Sequence, residues 1–377
     1  MTHEPHRGPL AGLRVVEMVG IGPGPHAAML LSDLGADVVR IDRAGGNGTP
    51  NEVLDRGRAV IVIDIRSDDG RMQVLDAIDT ADVLIEGYRP GVMERLGLGP
   101  EVTIARNPRL IYGRITGWGQ DGPLAQAAAH DINYIALTGA LAAIGDKDGP
   151  ALPPLNLVGD FGGGSMYLVF GIMAALWERE RSGRGQVVDA AIVDGVASLM
   201  AMSAGFAASG FVSMDREKSM LAGAAPFYRC YTCADGKDVS VGAVEPHFYK
   251  LLLERIGAPM ELLEAQNRRA TWPAHSAVLA TIFASKPQAT WCKLLEGTDA
   301  CFAPVLPLSD GPHHPHLQAR KSYLIKHGTI HPAPAPRFSR TPGVIGSTSD
   351  GAAMLATWQA ERQYHKDADF NVKENAE

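Results

Sequence analysis

Cysteine is scarce in this chain: Cys230, Cys233, Cys292 and Cys301 are the four among 377 residues. So few cannot form a disulfide scaffold, and they place the protein in a reducing compartment, the cytoplasm by default. Cys230 and Cys233 match C-x-x-C, but they fall in a strand-like run before the Asp235-Gly236 turn. Side chains three apart on a strand point to opposite faces, so a shared redox or metal role is not expected. His313, His314 and His316 lack neighbouring carboxylate or thiol ligands in sequence and read as proline-flanked surface residues, so no metal is assigned. Positive charge is also short, with 35 basic against 42 acidic residues. The net −7 argues against nucleic acid as the main partner and against a polybasic membrane patch, while leaving room for a local basic pocket. No apolar leader is read in Met1-Thr2-His3-Glu4-Pro5-His6-Arg7, and no run is expected to reach membrane-spanning length.

What is present is a globular composition, 46% hydrophobic and 20% charged, in a chain long enough for two or three segments. Apolar strands at 12–18, 36–42, 59–65, 82–86 and 110–115 alternate with helices, one of them at 26–34. That alternation predicts a parallel sheet covered on both faces, an α/β domain of Rossmann-like type. Residues 160–181 read as a long helix, 184–188 as a further strand and 189–210 as helical. A smaller α+β domain follows, with strands at 229–232 and 237–241 and helices at 247–256, 272–283 and 288–295. The expected organisation is a large domain over 1–190, a helical linker over 191–225 and a small domain over 226–312. A return linker over 313–345 and a C-terminal segment over 346–377 with a partly disordered tail complete it.

Gly20-Ile21-Gly22-Pro23-Gly24-Pro25 follows the first strand, nearly where a dinucleotide fingerprint would stand. Pro25 replaces its third glycine, and Pro23 removes an N–H that would face pyrophosphate, so the string reads as a tight strand-to-helix turn.

Three residues are candidates for proton chemistry. His130 stands at or before the first turn of the helix opening at Asp131-Ile132-Asn133-Tyr134, and imidazole serves as base or acid near neutral pH. Alternatively it is a structural histidine bonded to a backbone carbonyl. Asp160 precedes Phe161-Gly162-Gly163-Gly164 and reads as an N-cap of the long helix. Three successive glycines weaken a helix, which implies that a ligand or another chain approaches closely there. Glu245 ends an apolar strand before Pro246; it either supports a histidine or complements a helix start.

Taken together, His130-Asp131-Ile132-Asn133-Tyr134, Leu155-Asn156-Leu157-Val158-Gly159-Asp160-Phe161 and Val241-Gly242-Ala243-Val244-Glu245-Pro246 resemble the racemase branch of the family III CoA-transferase superfamily. The likeness begins at Gly12-Leu13-Arg14-Val15-Val16-Glu17, passes through Arg89-Pro90-Gly91-Val92-Met93-Glu94-Arg95-Leu96-Gly97 and Gly297-Thr298-Asp299-Ala300-Cys301, and ends near Phe338. The resemblance implies a 2-methylacyl-CoA thioester substrate, epimerised through an enolate between two bases, His130 and Asp160. It implies an interlocked homodimer in which Glu245 of one subunit pairs with His130 of the other. It further implies coenzyme A on the large domain, with Arg43 near the nucleotide end, Ile63, Asp64, Ile65 and Arg66 lining it, and Arg89 and Arg95 toward phosphates. Asp131 would offer its backbone N–H to the thioester oxygen and Tyr134 would wall the pocket. No cofactor is implied, because coenzyme A is part of the substrate.

The chain departs from the family where Ala129 replaces a usual glycine. A second departure lies in Leu221-Ala222-Gly223-Ala224, where Ala222 and Ala224 replace an acid and a glycine. Two other readings stay open: a CoA-transferase using Asp160 as nucleophile, and an acyl-CoA-binding protein without catalysis.

Overall fold

The computed structural model describes residues 8–46, 50–146, 148–211 and 213–374, with side chains to Tyr364. The stretch 1–7, read above for a leader, and the last three residues of the tail lie outside the described residues. The strands are β1 (Arg14–Met18), β2 (Asp37–Asp42), β3 (Arg58–Val62), β4 (Val83–Glu86), β5 (Ile111–Thr116) and β6 (Val187–Ala191). They continue as β7 (Tyr228–Thr232), β8 (Asp238–Gly242), β9 (Phe302–Pro304), β10 (Tyr323–Lys326), β11 (Thr329–Pro332) and β12 (Ser349–Asp350).

Seven of these form one parallel sheet in the order β12-β3-β2-β1-β4-β5-β6. Valine pairs such as Val15-Val16 and Val38-Val39 are wholly enclosed, as strands covered on both faces require. The strand order reverses between β1 and β4, and crevices outside the carboxyl ends of strands at such a point are where α/β sheets bind ligands. β3 ends at Val62, short of the expected 65. Asp64 turns the chain out of the sheet by accepting the Arg66 N–H at 3.1 Å, and Ser67 caps the helix Asp68–Ile78.

Asp160 does not cap a helix. It lies within Leu157–Ser165, a wide-turn segment that runs on into the α-helix Met166–Ser182. The Phe161 N–H reaches back five residues to the Asn156 carbonyl oxygen at 3.3 Å, and the Met166 N–H does the same to Phe161. Wide turns of this kind gather at functional sites. Gly162, Gly163 and Gly164 inside it face the chain's own helix Ile192–Leu199. A Cβ on Gly163 would stand 2.5 Å from the Val196 side chain, and one on Gly195 would stand 1.9 Å from the Gly163 carbonyl oxygen. The joined helix Leu157–Ser182 spans 26 residues and contains an 18-residue window of mean hydropathy 1.3, long and apolar enough by length and composition to cross a membrane. This corrects the expectation that no run attains that length; the wide turns extend the helix N-terminally through Leu157 and Val158.

Two compact units share the chain. The first contains Met1–Thr138, Leu155–Leu199 and Ala333–Glu377, and so holds the parallel sheet. The second contains Gly139–Pro154 and Met200–Pro332. Its antiparallel β7-β8-β9 sheet packs with Tyr249, Trp272, Phe283 and Trp291 in a core of its own. The stretch read as a return linker carries the β10–β11 hairpin, and the C-terminal segment carries the helix Gly351–Glu374. Trp358 anchors that helix at 2% exposure, an apolar contact that the polar residues around it obscure in the sequence.

Candidate active site

A cavity of about 1310 Å³ opens at the carboxyl edge of the parallel sheet, in the first unit. Its lining follows the strand ends: Met18 to Ile21 after β1, Asp42 to Gly46 after β2, Ile63 to Arg66 after β3, Glu86 to Tyr88 after β4, and Ile115 on β5. Arg43, Ile63, Asp64, Ile65, Arg66 and Arg95 therefore share one wall; Arg89 is exposed nearby and is not part of it. Two acids of the wall have arginine partners outside it. Asp42 pairs with Arg40 at 3.1 Å, and Glu86 accepts from Arg114 at 3.0 Å. That leaves the guanidinium groups of Arg43, Arg66 and Arg95 against the single carboxylate of Asp64, a recess that is basic on balance in an acidic protein.

The glycine turn after β1 is itself cavity wall, which the sequence reading did not assign. Gly22 has φ 70°, a left-handed conformation that suits glycine. A Cβ there would stand 3.4 Å from Asp160 Oδ2, so the Asp160 carboxylate abuts the turn that walls the cavity. Behind the turn, the wholly buried Arg58 pairs with Glu17 at 2.9 Å and donates to the Pro25 carbonyl oxygen at 2.7 Å, fixing the helix start.

His130 is the residue before the helix Asp131–Leu137. Its backbone N–H donates to Asn133 Oδ1 at 3.1 Å, and the Asn133 N–H donates to its carbonyl oxygen at 2.8 Å. The imidazole is exposed. Asp131 is buried, and its Oδ1 accepts the Asp160 backbone N–H at 2.7 Å, joining the two segments. Burial raises the Asp160 carboxyl above its ordinary range; the Asn156 amide, donating at 3.3 Å, opposes this, the Asp131 charge adds to it and the His130 charge subtracts. His130 and Asp160 thus lie within electrostatic reach of one another. Asn156, four residues before Asp160, was not singled out in the sequence, although it stands in the same motif.

Tyr134 crosses Trp118 edge-on at 4.9 Å and donates its hydroxyl to the Ala129 carbonyl oxygen at 2.6 Å. It therefore holds the loop that delivers His130. The non-glycine residues with left-handed backbone, among those described, are Leu155, Cys301, Lys321 and His327, and Ala129, Ala222 and Ala224 are not among them. None of the three alanines strains the backbone. His26, read only as part of a helix, bonds Ser165 Oγ through Nδ1 at 2.7 Å and lies 4.4 Å from the Phe161 ring. Burial, helped by Arg56 and Arg58, lowers its pKa to about 4, so it stays neutral beneath the wide-turn segment.

Glu245 lies in the second unit, exposed, just before the helix Pro246–Ile256. Cys230 is exposed and Cys233 buried, and His314 bonds Glu296 at 2.9 Å.

The chain matches CoA-transferase family III over residues 10–349. It belongs to that family. Among the family's proteins, the mouse alpha-methylacyl-CoA racemase is 43% identical over 94% of this chain and 93% of its own length. The human protein of the same name is 42% identical over 89% of this chain and 88% of its own. A crystal structure of a CAIB/BAIF family protein from Brucella suis superposes with a TM-score of 0.79 at 27% identity, covering 93% of this chain and 99% of that one. The family III fold thus extends over both units.

Proposed function

We propose that the protein is an isomerase that interconverts (2R)- and (2S)-2-methylacyl-CoA thioesters. What supports this is Asp160 standing against the turn that walls the cavity, with His130 within its electrostatic reach, in a chain over 40% identical to two racemases of that name. In this reading one base removes the α-proton of the thioester and the other returns a proton from the opposite face of the planar enolate. The Asp131 N–H, in the first helical turn where no intrahelical acceptor exists, meets the enolate oxygen. Glu245 of one copy supports the imidazole of His130 in another. The nucleotide end of coenzyme A lies toward Arg43 and Ile63 to Arg66, with Arg89 and Arg95 serving its phosphates.

Self-association is part of the proposal. Met166, Phe170, Met173 and Trp177 follow one another on a single exposed face of the helix Met166–Ser182, with Phe170 72% and Trp177 71% exposed. Such a stripe calls for cover, and a second copy of the chain accounts for it without a membrane. The four cysteines are all free, which suits the cytoplasm.

Incubating each epimer of a 2-methylacyl-CoA in deuterated water tests the activity. Epimerisation from either side, with deuterium gained at the α-carbon, is the expected result. Configuration retained in both, or transfer of coenzyme A to a free acid through an acyl–Asp160 anhydride, would overturn it.

A further inference from the structure

Asp131 is more than nine-tenths buried, at 8% exposure, which is unusual for an acid. Its Oδ1 receives the Asp160 backbone N–H at 2.7 Å, while its Oδ2 is buried with no hydrogen-bond partner among the described residues. An acid that merely favoured a helix start would keep its carboxylate in water. Here the surroundings are built around the carboxylate instead. A Cβ on Gly159 would stand 2.3 Å from Asp131 Oδ1 and 2.7 Å from its Cγ, so only glycine lets Asp131 reach the 159–160 peptide. His130 is the residue immediately before Asp131. One bond therefore sets the backbone of both bases relative to each other.

We propose that the Asp131 carboxylate is the positioning residue that ties His130 and Asp160 into one rigid pair, a role that rests on the racemase reading above. Its backbone N–H and its side chain then do different work: the former meets substrate, the latter holds the opposing base in place. The carboxylate also acts through charge. Asp160 faces Asn156 on its own segment and His130, Asp131 and Tyr134 from the neighbouring helix. His26 reaches its segment through Ser165, Asp194 on the crossing helix is exposed, and Asp189 answers to Gln120 and Arg114. Among these, the negative charge of Asp131 favours a proton on Asp160, and so helps it act as an acid in one direction of turnover.

The test uses the full chain and a 2-methylacyl-CoA substrate. Asp131→Ala is expected to lower kcat about a hundredfold while leaving KM nearly unchanged, because misplacing a reacting group costs rate rather than binding. Asp131→Asn keeps an acceptor for the Asp160 N–H and removes the charge. It loses less kcat than Asp131→Ala and moves the acid limb of the kcat/KM profile to lower pH. Gly159→Ala, which expels the carboxylate from its place, should reproduce the loss seen in Asp131→Ala, and the double variant should be no slower than Gly159→Ala alone. Should Asp131→Ala fail to fold, the limb of Asp131→Asn and the kcat of Gly159→Ala decide. Wild-type kcat in Asp131→Ala and Gly159→Ala, or an acid limb unmoved in Asp131→Asn, would overturn the proposal. A wild-type chain inert toward both epimers would overturn the racemase reading itself, before any variant is compared.

Discussion

The two bases of the proposed site, His130 and Asp160, are held in different ways. His130 stands exposed before a seven-residue helix, tethered through its backbone to Asn133. Asp160 lies half-buried in a wide-turn segment that a second helix crosses at glycine-to-backbone distance. The chemistry accounts for the difference. Imidazole exchanges protons near neutral pH without help, whereas a carboxyl must be drawn out of water before it will carry one. The histidine therefore needs only orientation, and the acid needs a built environment.

On the proposed reading, removing either base has the largest effect. Asp160→Asn or His130→Asn should cut kcat/KM by about 10²- to 10⁴-fold in both directions. Stability separates the two. Because burial raises the Asp160 carboxyl, its ionised form costs the fold stability at neutral pH, so Asp160→Asn should melt at or above the wild-type temperature. His130→Asn is expected to leave the melting temperature unchanged, and thermal denaturation at pH 7 distinguishes them.

Acid should loosen the Asp160 side of the site. The His26 imidazole takes a proton near 6.5 when unfolded but near 4 in the fold. Between those values the unfolded chain binds more protons, so stability falls as pH drops through that window, by at most about 3 kcal/mol. Stability measured by denaturant at pH 7 and pH 5 should fall less in His26→Asn than in wild type. An unchanged pH slope in the variant would remove His26 from this account.

Packing comes next. Gly163→Ala places a methyl group 2.5 Å from Val196 and should destabilise the chain by about 1–3 kcal/mol, with loss of turnover even where the fold survives. The smallest effect belongs to the His130 side. Ala129 has no left-handed backbone, so Ala129→Gly should gain no activity and lose only about 0.4–1 kcal/mol of stability through a looser unfolded chain. A large rise in kcat in that variant would show that the added methyl group narrows the site.

The same contrast explains what was legible in the sequence. Apolar runs such as Val15-Val16 and Leu84-Ile85 announce buried parallel strands, and the fold class follows from their alternation with helices. His130 before Asp131 is a local matter of chain order and could be read as a helix start. The wide turn at Asp160 could not be read, because bonds to the fifth residue back and bonds to the fourth share nearly the same apolar spacing. Its cause lies in Gly195, distant in sequence, which admits the Gly163 carbonyl. The buried carboxylate of Asp131 was equally hidden: an acid in a first helical turn ordinarily faces water. The glycine turn at Gly20 to Gly24 is legible as a strand-to-helix connection, yet its place at the sheet's carboxyl edge, against Asp160, needs the fold.

If two bases address opposite faces of one α-carbon, hydrogen exchange in single-base variants separates them. In deuterated water, His130→Asn with Asp160 intact should wash deuterium into one epimer only, without inverting it. Asp160→Asn with His130 intact should do the same to the other epimer only. Exchange confined to the same epimer in both variants, or full epimerisation in either, would contradict the account.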